Sequence, residues 1–151
     1  MAEGDGFAYN GFKKNLLDKV FNLAAAGDTI RQTLHTGYTP DIDAHDQWGD
    51  AGVSSTEYGT GAGYTAGGKV LANQATAQDN TNDRASFDAD DNVWTSLGAL
   101  TPATPSDTLM YDDTPTSPAD PLLFYWELGV TATNGGNFTL QYAAAGIALF
   151  T

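Results

Sequence analysis

The clearest alternation of apolar and polar residues lies in the last third of the chain. Two alternating runs, at 122–130 and 138–142, are separated by Asn134-Gly-Gly-Asn137 and follow a proline-rich break at 114–121. Successive side chains of a strand point to opposite faces, and glycine-rich polar loops of this kind join hairpin strands. The pattern predicts a β-hairpin with one buried face, formed by Leu122, Phe124, Trp126, Leu128, Val130, Phe138, Leu140 and Tyr142.

A helical pattern is present only near the start of the chain. Phe12, Leu16, Val20 and Leu23 recur at helical spacing, widened by Leu17 and Phe21. This periodicity predicts an amphipathic helix over residues 10–25. Asn10 is a suitable N-cap and Gly27 a suitable stop, so residues 1–27 are expected to form an N-terminal arm or helix.

The rest of the chain has the composition of a β protein. Strands are predicted at 29–36, 69–77 and 108–111, with a turn at 78–83 and an irregular segment at 40–63. Five glycines within 59–68 are too many for a strand interior and indicate either a tight loop or a loop that approaches another segment closely. We therefore expect one domain of 151 residues, mainly β: an antiparallel β-sandwich, jelly-roll-like, with one N-terminal α-helix.

Charge and composition exclude several classes of function. The chain has 19 acidic and 6 basic residues, a net charge of −13, and no basic residue after Arg84. Direct nucleic-acid binding requires lysines and arginines to replace phosphate counterions, so it is not expected. There is no cysteine and no apolar run of the roughly 20 residues needed to cross a bilayer. The acidic N-terminus lacks signal-peptide features, which predicts synthesis in a cytosol, and no membrane partner is expected.

Candidate chemistry is weak throughout the sequence. The segment Asp41-Ile-Asp43-Ala-His45-Asp46 could supply cation ligands, but an Asx-turn loop explains it better. Residues 79–90 have the length of a calcium loop but carry Arg84 at the required glycine. His35 and His45 have no nucleophile motif beside them. We expect no enzymatic activity, no cofactor and no metal.

Seven residues are candidates for contacts with partners. Trp48, Tyr58 and Tyr64 lie in glycine- and aspartate-rich loops, where exposed rings would suit an interface or a sugar. The alternative is that these rings fold back onto the sandwich. Glu127 is out of phase with the inward residues of its strand, so it is expected to face solvent or a neighbouring subunit. The remaining three are the basic residues of the helix, Lys13, Lys14 and Lys19.

Several stretches, taken in order along nearly the whole chain, resemble a family of small virion structural proteins of tailed bacteriophages. The most specific is Gly63-Tyr-Thr-Ala-Gly-Gly-Lys69. The others are Phe12-Lys-Lys-Asn-Leu-Leu-Asp18, Gly37-Tyr-Thr-Pro-Asp-Ile-Asp-Ala-His-Asp46, Gln78-Asp-Asn-Thr-Asn-Asp-Arg84, Phe87-Asp-Ala-Asp90, Trp94, Pro121-Leu-Leu-Phe-Tyr-Trp-Glu-Leu128, Gly136-Asn-Phe-Thr-Leu140 and Ala145-Gly-Ile147. Departures from the family's pattern occur at residues 30–34 and 103–108.

The resemblance implies a non-enzymatic part of the virion, usually a head decoration or cement protein, and supplies no catalytic residues. The expected partners are the major capsid protein and further copies of this chain, with which it forms a homo-oligomer, and the expected location is the capsid exterior after synthesis in the host cytoplasm. Two alternatives remain open: a minor tail or head–tail connector component, and a carbohydrate-binding module for host attachment that uses the three loop aromatics.

Overall fold

The chain forms short antiparallel strands and one α-helix, described by a computed structural model over residues 6–98, 104–129 and 133–151. A single 3₁₀ turn spans Ser54–Thr56. In chain order the elements are β1 (Gly6–Ala8), α1 (Asn10–Leu17), β2 (Ile30–His35), β3 (Lys69–Val70), β4 (Ala75–Asp79), β5 (Arg84–Asp88), β6 (Asn92–Trp94), β7 (Asp107–Asp112), β8 (Leu122–Glu127), β9 (Phe138–Leu140) and β10 (Ala148–Phe150).

The central sheet has five strands in the order β1-β8-β7-β2-β3. All six residues of β7 are buried, and so are the first four of β8. Leu123 and Tyr125 are as inaccessible as Leu122 and Phe124, so both faces of the sheet are covered. The prediction of one buried face is therefore wrong for β8, whose near-continuous apolar run is typical of a strand buried on both sides.

The predicted C-terminal hairpin is also wrong. Strand β8 pairs with β7 on one side and β1 on the other, which leaves it no free edge for a third strand. Strand β9 pairs instead with β6, through Trp94↔Phe138. The loop sequence at 134–137 is compatible with a turn, but the pairing is decided by which strand edges are still open. Val130, the last residue of the predicted inward set, lies outside the described residues.

A second layer makes the arrangement sandwich-like. Strands β10-β5-β4 form a three-stranded sheet, and β6-β9 form a two-stranded one. Phe87 of β5 is fully buried and joins the same hydrophobic core as Met110 and Phe124 of the central sheet, with Phe150 of β10 packed against it. The mainly β fold with antiparallel sheets and one helix is thus confirmed. The predicted strand at 69–77 divides into β3 and β4, which belong to different sheets.

The helix is shorter than predicted. It ends at Leu17, and the chain turns sharply at Lys19, where φ is +59°. The turn allows Phe21 to pack against Phe12, with ring centroids 5.2 Å apart. Because Phe21 packs from this returning segment, Leu16 and Leu17 are not needed in the core. No helix in the described ranges is long and apolar enough to span a membrane.

The predicted close approach in the glycine-rich loop is confirmed at Gly68. Its φ is +74°, and a Cβ placed there would lie 2.3 Å from the carbonyl oxygen of Gln32 in β2. Only glycine combines that backbone conformation with so short a separation. The loop therefore lies directly against the central sheet before β3 begins.

Candidate interaction surface

An open apolar groove of about 540 Å³ lies between the helix and the last strand. We call it the helix groove. Helix α1 and strand β10 provide its sides, and strands β1 and β8 complete it. Its lining residues are Gly6, Phe7, Ala8, Phe12, Lys13, Leu16, Leu17, Phe124, Trp126, Ile147, Ala148, Leu149 and Phe150.

Exposed leucines distinguish this surface from the rest of the described molecule. Leu17 is 84% exposed, Leu149 42% and Leu16 37%, and all three line the helix groove. Below them Phe12 is buried and contacts Phe124, with ring centroids 4.7 Å apart. The helix is thus held by an aromatic contact while its leucines remain in water. Apolar side chains grouped in this way are typical of a surface that binds a partner.

The three predicted lysines all lie in or just after α1, and each is exposed. Lys13 lines the helix groove, and its ammonium group donates to the Asn10 side-chain oxygen at 3.1 Å. Lys14 forms an ion pair with Asp18. No lining residue is acidic. The groove lining is therefore apolar with a single lysine, on a strongly acidic chain, and a partner-binding role for the three lysines stays a prediction.

The structure contradicts the prediction that Tyr58 and Tyr64 are exposed. Tyr58 is 3% and Tyr64 2% exposed, and both belong to a hydrophobic cluster with Leu34 and Trp94. The Tyr64 hydroxyl donates to Glu57 Oε1 at 2.7 Å, and burial raises its pKa. The flexible glycines of the loop let the ring turn inward, so the alternative of rings folded onto the sandwich is the correct one here.

Trp48 is half-buried and packs against the face of the central sheet that carries His35 and Tyr111. Its ring stacks on Tyr111, with centroids 4.6 Å apart, and meets the edge of His35 at 5.6 Å. Most of the Trp48 ring therefore contacts other side chains of the protein. The three loop aromatics do not form a shared platform for a sugar.

Glu127 is half-buried at the end of β8 and belongs to a polar cluster. The Tyr125 hydroxyl lies 3.0 Å from Glu127 Oε2 and 2.6 Å from Asp107 Oδ1. The Tyr125 hydroxyl has a single proton, which it can donate to either the Asp107 or the Glu127 carboxylate. Glu127 is thus tied to its own strand, and its role at an interface stays a prediction.

The other candidate polar groups in the described ranges stabilise the fold. Asp41 Oδ1 accepts the backbone N–H groups of Asp43 and Ala44, each at 3.0 Å, which confirms the predicted Asx turn. No group of three or more histidine or acidic side chains in the described part of the chain is arranged to hold a metal ion. His35 is fully buried, and burial lowers its pKa to about 3, so its ring is neutral at physiological pH.

Sequence reasoning missed the helix groove because its parts are far apart in the chain. Residues 6–8, 12–17, 124–126 and 147–150 meet only after the sheets have formed. One local signal was present: Leu16 and Leu17 are adjacent and are followed by Asp18 and Lys19. A helix that ends there leaves both leucines on its last turn, where they extend beyond the core.

The comparisons with known proteins give no match: no family model, no curated protein and no solved structure is similar to this chain.

Proposed function

We propose that this chain is a structural protein of a tailed-bacteriophage virion, a decoration (cement) protein that binds the major capsid shell from outside and stabilises it. The observation that carries the proposal is the helix groove: exposed leucines beside lysines on a chain with a net charge of −13. The sequence resemblance supplies the class of partner.

The proposed mechanism is adhesion. The apolar groove and the helix lysines contact an acidic rim of the major capsid protein, and copies of this chain assemble beside one another around the shell. Each contact adds buried area between capsid subunits and so opposes the internal pressure of packaged DNA. The acidic remainder faces solvent, where mutual repulsion keeps free protomers soluble before they bind.

A catalytic role is not part of the proposal. Within the described residues, the polar clusters around His35, Tyr64 and Glu127 are internally hydrogen-bonded. A sugar-binding module is not proposed either, because two of its three aromatics are buried.

The test uses heads of the encoding phage purified from a strain in which this gene is deleted. Purified protein is mixed with these heads, and bound copies are counted by quantitative mass spectrometry after sedimentation. We expect saturable binding of hundreds of copies per head. A stoichiometry of a few to a dozen copies would instead indicate a connector or tail component, and no binding would overturn the proposal.

A matched pair of charge reversals tests the basic surface. Lys13→Glu lies in the helix groove, whereas Lys69→Glu lies in β3 at the far edge of the central sheet. Each lowers the net charge by two units, so general repulsion changes equally. We expect Lys13→Glu to weaken head binding several-fold and Lys69→Glu to leave it near the wild-type level. Equal effects would mean that only total charge matters.

A further inference from the structure

The open edge of β1 lies within the helix groove. β1 is the outermost strand of the central sheet, and its three residues all line the groove. The Tyr9 N–H donates to the carbonyl oxygen of Leu123 at 3.1 Å. Because bonded and outward-pointing residues alternate along an antiparallel strand, the backbone groups of Ala8 point away from β8. Unpaired groups on a strand edge are a template for another strand.

The apolar sides of the groove suit the alternating side chains of such a strand. Three residues of β1 span about 10 Å at the rise of a β-strand, so about three residues of an added strand can pair along this edge. Its apolar side chains would cover Leu17, Leu149 and Trp126. Main-chain hydrogen bonds would supply affinity and the side-chain contacts would supply specificity, as in other cases of strand addition.

The charge of the groove favours an acidic occupant and disfavours a symmetric dimer. Lys13 is the only charged residue among the lining residues. In a two-fold dimer built on this surface, the same patch would face itself, and its lining offers no carboxylate to pair with the Lys13 of the other copy. A carboxylate on an incoming strand would instead pair with that ammonium group.

We propose that the helix groove binds an extended segment of the major capsid protein, with alternating apolar residues and at least one carboxylate, which adds as a strand to the free edge of β1. This inference rests on the proposed function, because that function supplies the partner. It goes further by naming the binding mode: backbone pairing at Ala8, apolar contacts at Leu17 and Leu149, and a charge contact at Lys13.

Two variants and one control test the binding mode in the head-sedimentation assay. Ala8→Pro removes the outward N–H without removing a β1–β8 hydrogen bond, a position where strands tolerate proline. Leu17→Glu places a charge on a side chain that is 84% exposed. Val70→Glu is the control, since Val70 is 43% exposed on β3 at the opposite edge of the sheet. We expect the first two to weaken binding at least tenfold and Val70→Glu to bind like wild type, with all three folded and in the same oligomeric state as wild type.

Hydrogen exchange on the wild-type protein gives a readout that does not depend on any variant folding. The Ala8 amide should exchange rapidly in the free protein and become protected on heads, while the β3 amides do not change. If the protein binds heads but the Ala8 amide stays unprotected and Leu17→Glu binds normally, strand addition is overturned and the proposed function stands. If wild-type protein does not bind heads, both fail. If the groove variants change only self-association, the occupant is a second copy and the inference is wrong.

Discussion

The carboxyl group of Asp28 lies close enough to that of Asp112 to raise the pKa of Asp112, whose side chain is completely buried. Asp112 Oδ1 accepts the Thr114 N–H at 2.9 Å, whereas its Oδ2 has no donor within the described residues. Burial raises the pKa of Asp112 to about 7, and the nearby Asp28 acts in the same direction. The neighbouring Asp113 is instead paired with Arg31 at 2.6 Å. A proton on Asp112 Oδ2, directed at Asp28, would let this otherwise donorless oxygen donate a hydrogen bond.

This pair predicts that Asp112 destabilises the protein as the pH rises. Because its folded-state pKa lies above the unfolded value of 3.8, the folded state binds more protons between about pH 4 and 7. The contribution of Asp112 to the free energy of unfolding therefore decreases as the pH rises through that range. We expect Asp112→Asn to be on the order of 2 kcal/mol more stable than wild type at pH 8, because its amide donates permanently where a proton was needed.

Urea unfolding at pH 5 and pH 8 measures this difference. Asp113→Asn is the control, since Asp113 is exposed and its loss removes only a surface ion pair worth about 0–1 kcal/mol. If Asp112→Asn is less stable than wild type by the same amount at both pH values, the two carboxyls do not share a proton.

His35 is predicted to remain neutral far below its ordinary pKa. Burial lowers the pKa of His35 to about 3, and the ring contacts Thr33 Oγ1 at 2.8 Å and Thr56 Oγ1 at 3.0 Å. Since the folded pKa lies below the unfolded value of 6.5, the stability it confers is lost as the pH falls from about 6.5 toward 3. The effect of His35 on the free energy of unfolding has the opposite pH dependence to that of Asp112. The loss of stability at low pH should therefore be clearer in the Asp112→Asn variant than in the wild type.

Nitrogen chemical shifts of the imidazole test this directly. The chain has two histidines, so His45→Gln leaves His35 as the single signal. We expect the shifts of a neutral ring from pH 8 down to pH 4. A titration midpoint near 6.5 would contradict the burial argument.

Local patterns were sufficient where an element is fixed by its own residues. Strands β2 and β7 lie within one residue of their predicted bounds, and the helix begins at Asn10, but its N-cap is Tyr9 and the prediction of Asn10 as N-cap is wrong. Strand pairing could not be predicted in the same way. Strand β8 pairs with β1 across more than a hundred residues, and the local periodicity of a strand does not specify its partner. The groove depends on the same long-range pairing, which is why the sequence indicates Lys13 as a contact residue but predicts Leu16 and Leu17 on the buried face of the helix.

The helix is predicted to depend on one side chain. Phe12 is 1% exposed and contacts Phe21, Phe124 and Phe150, whereas Leu17 is 84% exposed. Phe12→Ala should lower the free energy of unfolding by about 3–5 kcal/mol, the usual range for emptying an aromatic site in a core. Leu17→Ala should change it by less than about 0.5 kcal/mol. Equilibrium unfolding in urea compares them, and a similar loss for both would mean that Leu17 is buried in solution.

The close approach at Gly68 can be separated from the cost of its backbone conformation by a second glycine. Gly68 and Gly37 have similar φ values, +74° and +64°, but a Cβ at Gly68 would lie 2.3 Å from the Gln32 carbonyl oxygen and one at Gly37 would meet nothing within 4 Å. Gly37→Ala should therefore cost only the left-handed conformation, about 1–2 kcal/mol. Gly68→Ala must also push β2 and the loop apart.

We expect Gly68→Ala to lose at least about 1 kcal/mol more than Gly37→Ala in urea unfolding, since steric strain adds to the conformational cost. The displacement should be local, because β3 pairs with β2 immediately after Gly68. Amide exchange should accordingly rise at Arg31 and Val70 in Gly68→Ala and not in Gly37→Ala. Equal losses in the two variants, with β3 still protected, would show that the loop does not press against the sheet.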